Sequence, residues 1–168
     1  MTISISLAET EDEVEAVRDL CRDFVSWQLE AFPEKRETIL AYFDPVSFEE
    51  ALAELPAIHA RPGGAILLAT EDAQPLGCIS YKPLESGAAE VKRLFVSPSA
   101  RGKGVGGALV EAMIGEARAD GYRELRLDTA DFLTDACRLY HRHGFEDVTP
   151  PATPGAASSH AVFMRRAL

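Results

Sequence analysis

EVKRLFVSPSARGKGVGG, residues Glu90 to Gly107, carries a β-rich run through a glycine-rich turn into a helix. Val91, Leu94, Phe95 and Val96 favour a pleated strand, and Pro98 ends it. Gly102, Gly104, Gly106 and Gly107 let the backbone approach a ligand with no Cβ in the way. From Val105 the apolar residues Leu109, Ala112, Met113 and Ala117 fall at helical spacing, so the turn opens a helix. A helix N-terminus carries roughly half a positive charge and outward N–H groups, which suits a pyrophosphate. Arg101 and Lys103 add two cations to the turn.

Two cofactor readings compete. Gly102, Gly104 and Gly107 spell G-x-G-x-x-G, the fingerprint of a dinucleotide-binding fold. In that fold the first glycine follows its strand almost at once, whereas Ser97 to Arg101 intervene here, and one βαβ unit is visible rather than two. No Gly-Lys-Ser/Thr follows, as a nucleoside triphosphate loop requires. The other reading is an acyl-coenzyme A site. Arg101-x-x-Gly104-x-Gly106 after a strand resembles the cofactor motif of the GNAT superfamily of acyl-CoA N-acyltransferases. Further on, a strand from Leu125 to Thr129 precedes Ala136, Leu139, Tyr140, Gly144 and Phe145, similar to that family's A-x-x-L-Y-x-x-x-G-F. The order of elements around the two motifs extends the resemblance over nearly the whole chain.

The resemblance implies an α/β (α+β) fold, a mixed, twisted and mostly antiparallel sheet flanked by helices, whose central strands splay to admit the cofactor. It implies acetyl-CoA as acyl donor, with the backbone of Leu94, Phe95 and Val96 along the pantetheine arm. The turn Arg101, Gly102, Lys103, Gly104, Val105 and Gly106 would hold the pyrophosphate, and no metal is implied. An N-acetyltransferase follows, in which a primary amine attacks the thioester directly. The alternative in a different class is a regulatory module that holds acyl-CoA without turnover. The family asparagine three residues before the alanine of the second motif is replaced by Leu133, so a polar contact there is absent or supplied by Thr129, Thr134 or Asp135.

Amine acylation needs a proton acceptor for an ammonium of pKa near ~10 and a donor for the departing thiolate. Tyr140 matches the family tyrosine and is the expected donor; a packing tyrosine is the plain reading. Glu90 matches a position where family members carry a glutamate that takes the amine proton, directly or through water. A strand-end carboxylate paired with Lys92 is equally simple. Asp128 is the second candidate. His141 and His143 titrate in a usable range but are expected at the surface. Cys137, one turn before Tyr140, opens a covalent acyl-cysteine route only if something activates its thiol.

The 168 residues, 46% hydrophobic, suffice for one domain spanning the chain. No apolar run reaches the ~20 residues of a membrane span, and the expected location is cytoplasmic. Cys21, Cys78 and Cys137 read as buried thiols in a reducing compartment. Residues 1 to 60 hold 14 Asp plus Glu against 4 Lys plus Arg, so the whole net charge of -10 lies there, which disfavours nucleic acid as a partner. Either these carboxylates solvate helices, or they line the acceptor side and draw in a cationic amine. A homodimer stays open.

Along the chain, Ile3 to Leu7 reads as a strand, and Thr10 with Glu13 as a capping box before a helix carrying Val14, Val17, Cys21, Phe24 and Val25. Residues 33–45 read as irregular, 47–55 as a second helix, and Arg61 to Gly64 as a turn. Ile66 to Ala69 and Leu76 to Tyr81 form a hairpin-like pair. Thr134 to His143 is a short helix, and Thr149 to Ser159 a loop before the last strand.

Overall fold

Thr10 and Glu13 open the first helix as the sequence predicts. In the computed structural model, which describes residues 2–85, 87–150 and 159–168, the Thr10 hydroxyl accepts from the Glu13 N–H at 3.2 Å. The Glu13 carboxylate in turn accepts from the Thr10 N–H at 2.9 Å. This reciprocal cap starts α1 (Glu11–Ala31), which turns Val14, Val17, Leu20, Cys21 and Gln28 inward.

Among the described residues seven strands form one sheet: β1 (Ser4–Leu7), β2 (Ala65–Glu71), β3 (Gln74–Pro83), β4 (Ala88–Val96), β5 (Glu124–Ala130), β6 (Glu146–Val148) and β7 (Ala161–Ala167). Their order is β1-β2-β3-β4-β5-β7-β6, and every neighbouring pair is antiparallel except β4 with β5. This is the mixed sheet of the acyltransferase reading, and a doubly wound parallel sheet is ruled out. Asp72 and Ala73 join β2 to β3 with φ of 49° and 64°, the left-handed pair that a two-residue hairpin turn needs.

The apolar run of β2 is continuous because both of its faces are covered. Leu67 and Ala69 pack with Leu109 and Met113 of α5 (Val105–Ala119), while Ile66 and Leu68 pack with Val14, Val17 and Leu20 of α1. Leu109 and Met113 are fully buried, worth about 1.5–3 kcal/mol each in removed apolar surface. Another helix, α6 (Thr134–Arg142), stands beside α5. No helix among the described residues is long and apolar enough to cross a membrane.

The sequence reading differs from the structure between residues 33 and 58. The stretch expected to be irregular contains a 3₁₀ turn, Pro33–Lys35, and a helix, α2 (Arg36–Tyr42). No side chain caps α2, and Ile39, 1% exposed, anchors it, so packing rather than local signals sets it. The second expected helix is divided into α3 (Pro45–Ala53) and α4 (Leu55–Ile58). Pro56 has no N–H for the Leu52 carbonyl, which instead accepts from Arg18 Nε at 2.8 Å. The loop expected over residues 149–159 falls largely outside the described residues.

Two features of β4 open the sheet. It pairs with β5 only at Ala88 with Glu124, Ala89 with Leu125 and Glu90 with Arg126. Beyond that last rung the two strands separate. Along its other edge β4 carries one extra residue: Ser80 faces Lys92 but Cys78 faces Phe95, and Arg93 takes φ +62°. Such a bulge bends its strand. The displaced carbonyls keep partners, since Ser80 Oγ donates to Lys92 O at 3.0 Å and Cys78 Sγ to Arg93 O at 3.3 Å.

Candidate active site

The separation of β4 and β5 widens into a cavity of about 820 Å³. Residues 91–96 of β4 and 128–130 of β5 form its walls, the turn and the start of α5 close one end, and α6 flanks it. Aromatic residues of α1 to α3 close the other end.

At the α5 end the backbone is set for an anion. Gly102 and Gly104 both have φ +79°, which a side chain would strain. The first intrahelical bond of α5 runs from Ala108 N–H to Gly104 O at 3.1 Å, so the N–H groups of Val105, Gly106 and Gly107 meet no acceptor among the described residues. Arg101 holds its Nε on Val96 O at 3.2 Å and stacks 4.0 Å above the Trp27 ring. Desolvation over that ring lowers its pKa. Leu94, Phe95, Val96, Arg101, Gly102, Gly104, Val105 and Gly106 all line the cavity. Lys103 does not; it lies 3.9 Å from Glu71.

Tyr140 and Asp128 both line the cavity. Tyr140 is 6% exposed, packs edge-on against Phe145, and its hydroxyl makes no hydrogen bond among the described residues. Burial, with the nearby Cys137 and Asp128, raises its pKa well above the usual phenol value. Asp128 accepts from the Tyr42 hydroxyl at 2.5 Å and from Lys92 Nζ at 3.2 Å. Burial, with the Asp128 carboxylate adding to it, pushes the Tyr42 phenol up to about 12. Lys92 has its pKa raised: burial opposes the charge, and Tyr42, Asp128 and Glu90 together outweigh it.

Glu90 stands apart from this pair. It is not among the lining residues, and its carboxylate lies 3.7 Å from Lys82 Nζ and 3.4 Å from Lys92 Nζ. Cys137 also stays out of the lining; its Sγ faces Ala130 O at 3.6 Å, and burial raises its pKa, the reverse of an activated thiolate. His141 pairs with Asp147 at 2.7 Å, and neither it nor His143 lines the cavity. Leu133 precedes α6 with no capping side chain, and lines the cavity beside Thr134 and Asp135.

None of the lining residues from the first 60 is acidic. The helices of that third do face the acceptor end, but with Phe24, Trp27, Phe32, Tyr42, Phe43 and Phe48. Their carboxylates gather elsewhere: Glu11 and Glu15 on Arg18, and Glu15, Asp19 and Glu49 on Arg22, a surface network tying α1 to α3. Tyr42, Lys92, Arg93 and Gln28 are lining residues that sequence reasoning did not single out as site residues. The Lys92-Arg93 pair inside an apolar strand was the one available signal.

A mixed sheet opened beside its single parallel pair, with unpartnered N–H groups at the next helix, is the architecture of an acyl-CoA transferase cleft. The chain belongs to the acetyltransferase (GNAT) family, which it matches over residues 21–145. It is 36% identical over 104 residues to an uncharacterized N-acetyltransferase of Schizosaccharomyces pombe, covering 61% of this chain and 64% of that one. It is 36% identical over 110 residues to an IAA acetyltransferase of Azospirillum brasilense, covering 65% and 71% respectively. The chain thus spans a little under two thirds of the fission yeast relative. In three dimensions it resembles the PaiA N-acetyltransferase of Thermoplasma acidophilum in complex with coenzyme A, with a TM-score of 0.78 at 20% identity over 100% of both chains. A GNAT-family acetyltransferase of Staphylococcus aureus Mu50 gives a TM-score of 0.76 at 18% identity over 99% of both chains.

Proposed function

We propose that the protein transfers an acetyl group from acetyl-CoA to a primary amine by direct attack within a ternary complex. The observation that carries this reading is the β4/β5 gap, which puts free helix N–H groups, Tyr140 and Asp128 along one cavity. The pyrophosphate lies on the N–H groups of Val105 to Gly107 beside Arg101. The pantetheine arm runs along the unpaired edge of Leu94 to Val96, hydrogen-bonding as an added strand would.

Asp128 receives the proton of the incoming ammonium, and it fills this role in preference to Glu90 because it lines the cavity. The freed amine attacks the thioester carbon, and the C–S bond breaks as the tetrahedral adduct collapses. Tyr140 gives its proton to the departing thiolate. A second proton leaves the nitrogen in that collapse and restores the phenol in balance, and the third stays in the amide. A phenol above its ordinary pKa remains protonated at neutral pH, so the proton is in place when the thiolate departs. The raised pKa of Cys137 and its place outside the cavity lining argue against an acyl-cysteine intermediate.

Mixing the protein with acetyl-CoA and a panel of amines, while following free thiol and N-acetylated product, tests the reading. One thiol released per acetylated amine is expected. Tight acetyl-CoA binding without thiol release from any amine would favour the non-catalytic module instead.

A further inference from the structure

Two side chains of the cavity lining each carry a buried nitrogen without a partner among the described residues. Gln28 is 2% exposed and its Nε2 meets no acceptor; the buried Nε of Arg93 meets none either. Arg93 makes no ion pair and no side-chain hydrogen bond among the described residues, and its guanidinium lies 5.2 Å from the centre of the Phe48 ring. Asp128, a carboxylate of the cavity lining, is already engaged by Lys92 and Tyr42. Around the end of the gap stand the cations Lys82, Lys92 and Arg93 against the carboxylates Glu90 and Asp128, which leaves one positive charge unmatched.

Buried donors without partners cost free energy that a bound ligand recovers by accepting from them. An arginine presents a planar fork that fits a carboxylate. The space beside Arg93 is apolar and ring-lined: Phe24 and Phe43 lie 5.9 Å apart, and Phe43 and Phe48 5.3 Å apart, centre to centre. A polycation would meet Lys92 and Arg93 there, with no acidic lining residue from α1 to α3 to receive it.

We infer that the acceptor is an amine carrying a carboxylate on an apolar or aromatic body. Its carboxylate lies against Arg93, with Gln28 a further donor of the same lining, its body among Phe24, Phe43 and Phe48, and its amine toward Asp128. The inference rests on the acetyl-transfer reading and adds the class of substrate to it.

Matched pairs of amines with and without the carboxylate test it: phenylalanine with phenethylamine, leucine with 3-methylbutylamine, and spermidine as the polycation. Thiol release from acetyl-CoA gives kcat/KM for each, and calorimetry on the coenzyme A-loaded protein gives binding without turnover. At least one carboxylate-bearing member should exceed its partner by about tenfold or more, since buried groups left unpaired penalise the analogue that lacks the matching polar group. In Arg93→Gln and in Gln28→Leu that ratio should fall toward one, through KM. Preference for the carboxylate-free members or for spermidine overturns the inference, as does a ratio unchanged in both variants. Binding of a carboxylate-bearing amine with no thiol release supports the inference while contradicting the transferase reading. Absence of both binding and turnover for every carboxylate-bearing amine overturns the inference, and acetyl-CoA titration separately reports whether the cofactor site stands.

Discussion

Tyr42 on α2 donates a 2.5 Å hydrogen bond to Asp128 on β5, joining the aromatic lid of the acceptor end to the carboxylate that faces it. Lys92 completes the arrangement from β4. The hydroxyl and the ammonium hold the carboxylate in one orientation across the gap. Asp128→Asn removes the proton acceptor while keeping the shape, so kcat/KM should fall by about 100-fold to 10,000-fold. Tyr42→Phe leaves Lys92 in place on the carboxylate, so a loss of about three- to tenfold is expected. Steady-state kinetics on both variants checks the order of the two effects.

Tyr140→Phe should lower kcat by about 100-fold to 10,000-fold with acetyl-CoA affinity little changed, the pattern of a group that acts in the transition state. Because burial raises the phenol's pKa, kcat of the wild type should show no loss from its deprotonation up to about pH 10. Wild-type turnover in Tyr140→Phe would reduce this residue to packing against Phe145.

His59 gives stability a pH dependence. It is 4% exposed, holds Tyr81 O through Nδ1 at 3.0 Å, and burial lowers its pKa from 6.5 to about 4. The unfolded chain therefore binds a proton that the folded chain refuses, so the stability present above pH 6.5 is lost as pH falls toward 4. Between pH 7 and pH 5 the loss from this group should be about 2 kcal/mol. Urea unfolding of wild type and His59→Gln at the two pH values measures it, the variant showing a smaller drop.

Gly115 sits exposed in the middle of α5, and a Cβ there meets nothing within 4 Å. Gly115→Ala should stabilise the protein by about 0.5–1 kcal/mol through the lost freedom of the unfolded chain. Thermal unfolding followed by circular dichroism reports the rise in Tm.

The strand, turn and helix around Glu90 to Gly107 were legible because their signals are local: β-formers, a proline stop, glycines and helical periodicity. The second motif was legible by resemblance. What decided between Glu90 and Asp128 as cavity residues was not local. Glu90 occupies the last rung that β4 shares with β5, opposite Arg126, where the strands still touch. Asp128 lies two residues beyond Arg126, on the same side of the strand, and enters the gap. The point at which two strands part depends on pairing that no single segment encodes. The left-handed Arg93 belongs to the same class, since a bulge exists only relative to a partner strand. The aromatic end was hidden because its rings come from α1, α2 and α3, and α2 has no cap to announce it.

The central claim is that acetyl-CoA occupies the β4/β5 gap with its pyrophosphate on the α5 turn. A Cβ at Gly106 would stand 2.9 Å from Leu139 Cδ2 and 3.7 Å from Val96 Cγ2, both in the lining of the gap, so a valine there crowds the gap beside the turn. Calorimetric titration of acetyl-CoA into wild type, Gly106→Val and Gly115→Ala is the most direct measurement. The account predicts binding by wild type and Gly115→Ala, and a loss of at least about tenfold in a folded Gly106→Val. Equal affinity in all three folded proteins would contradict it.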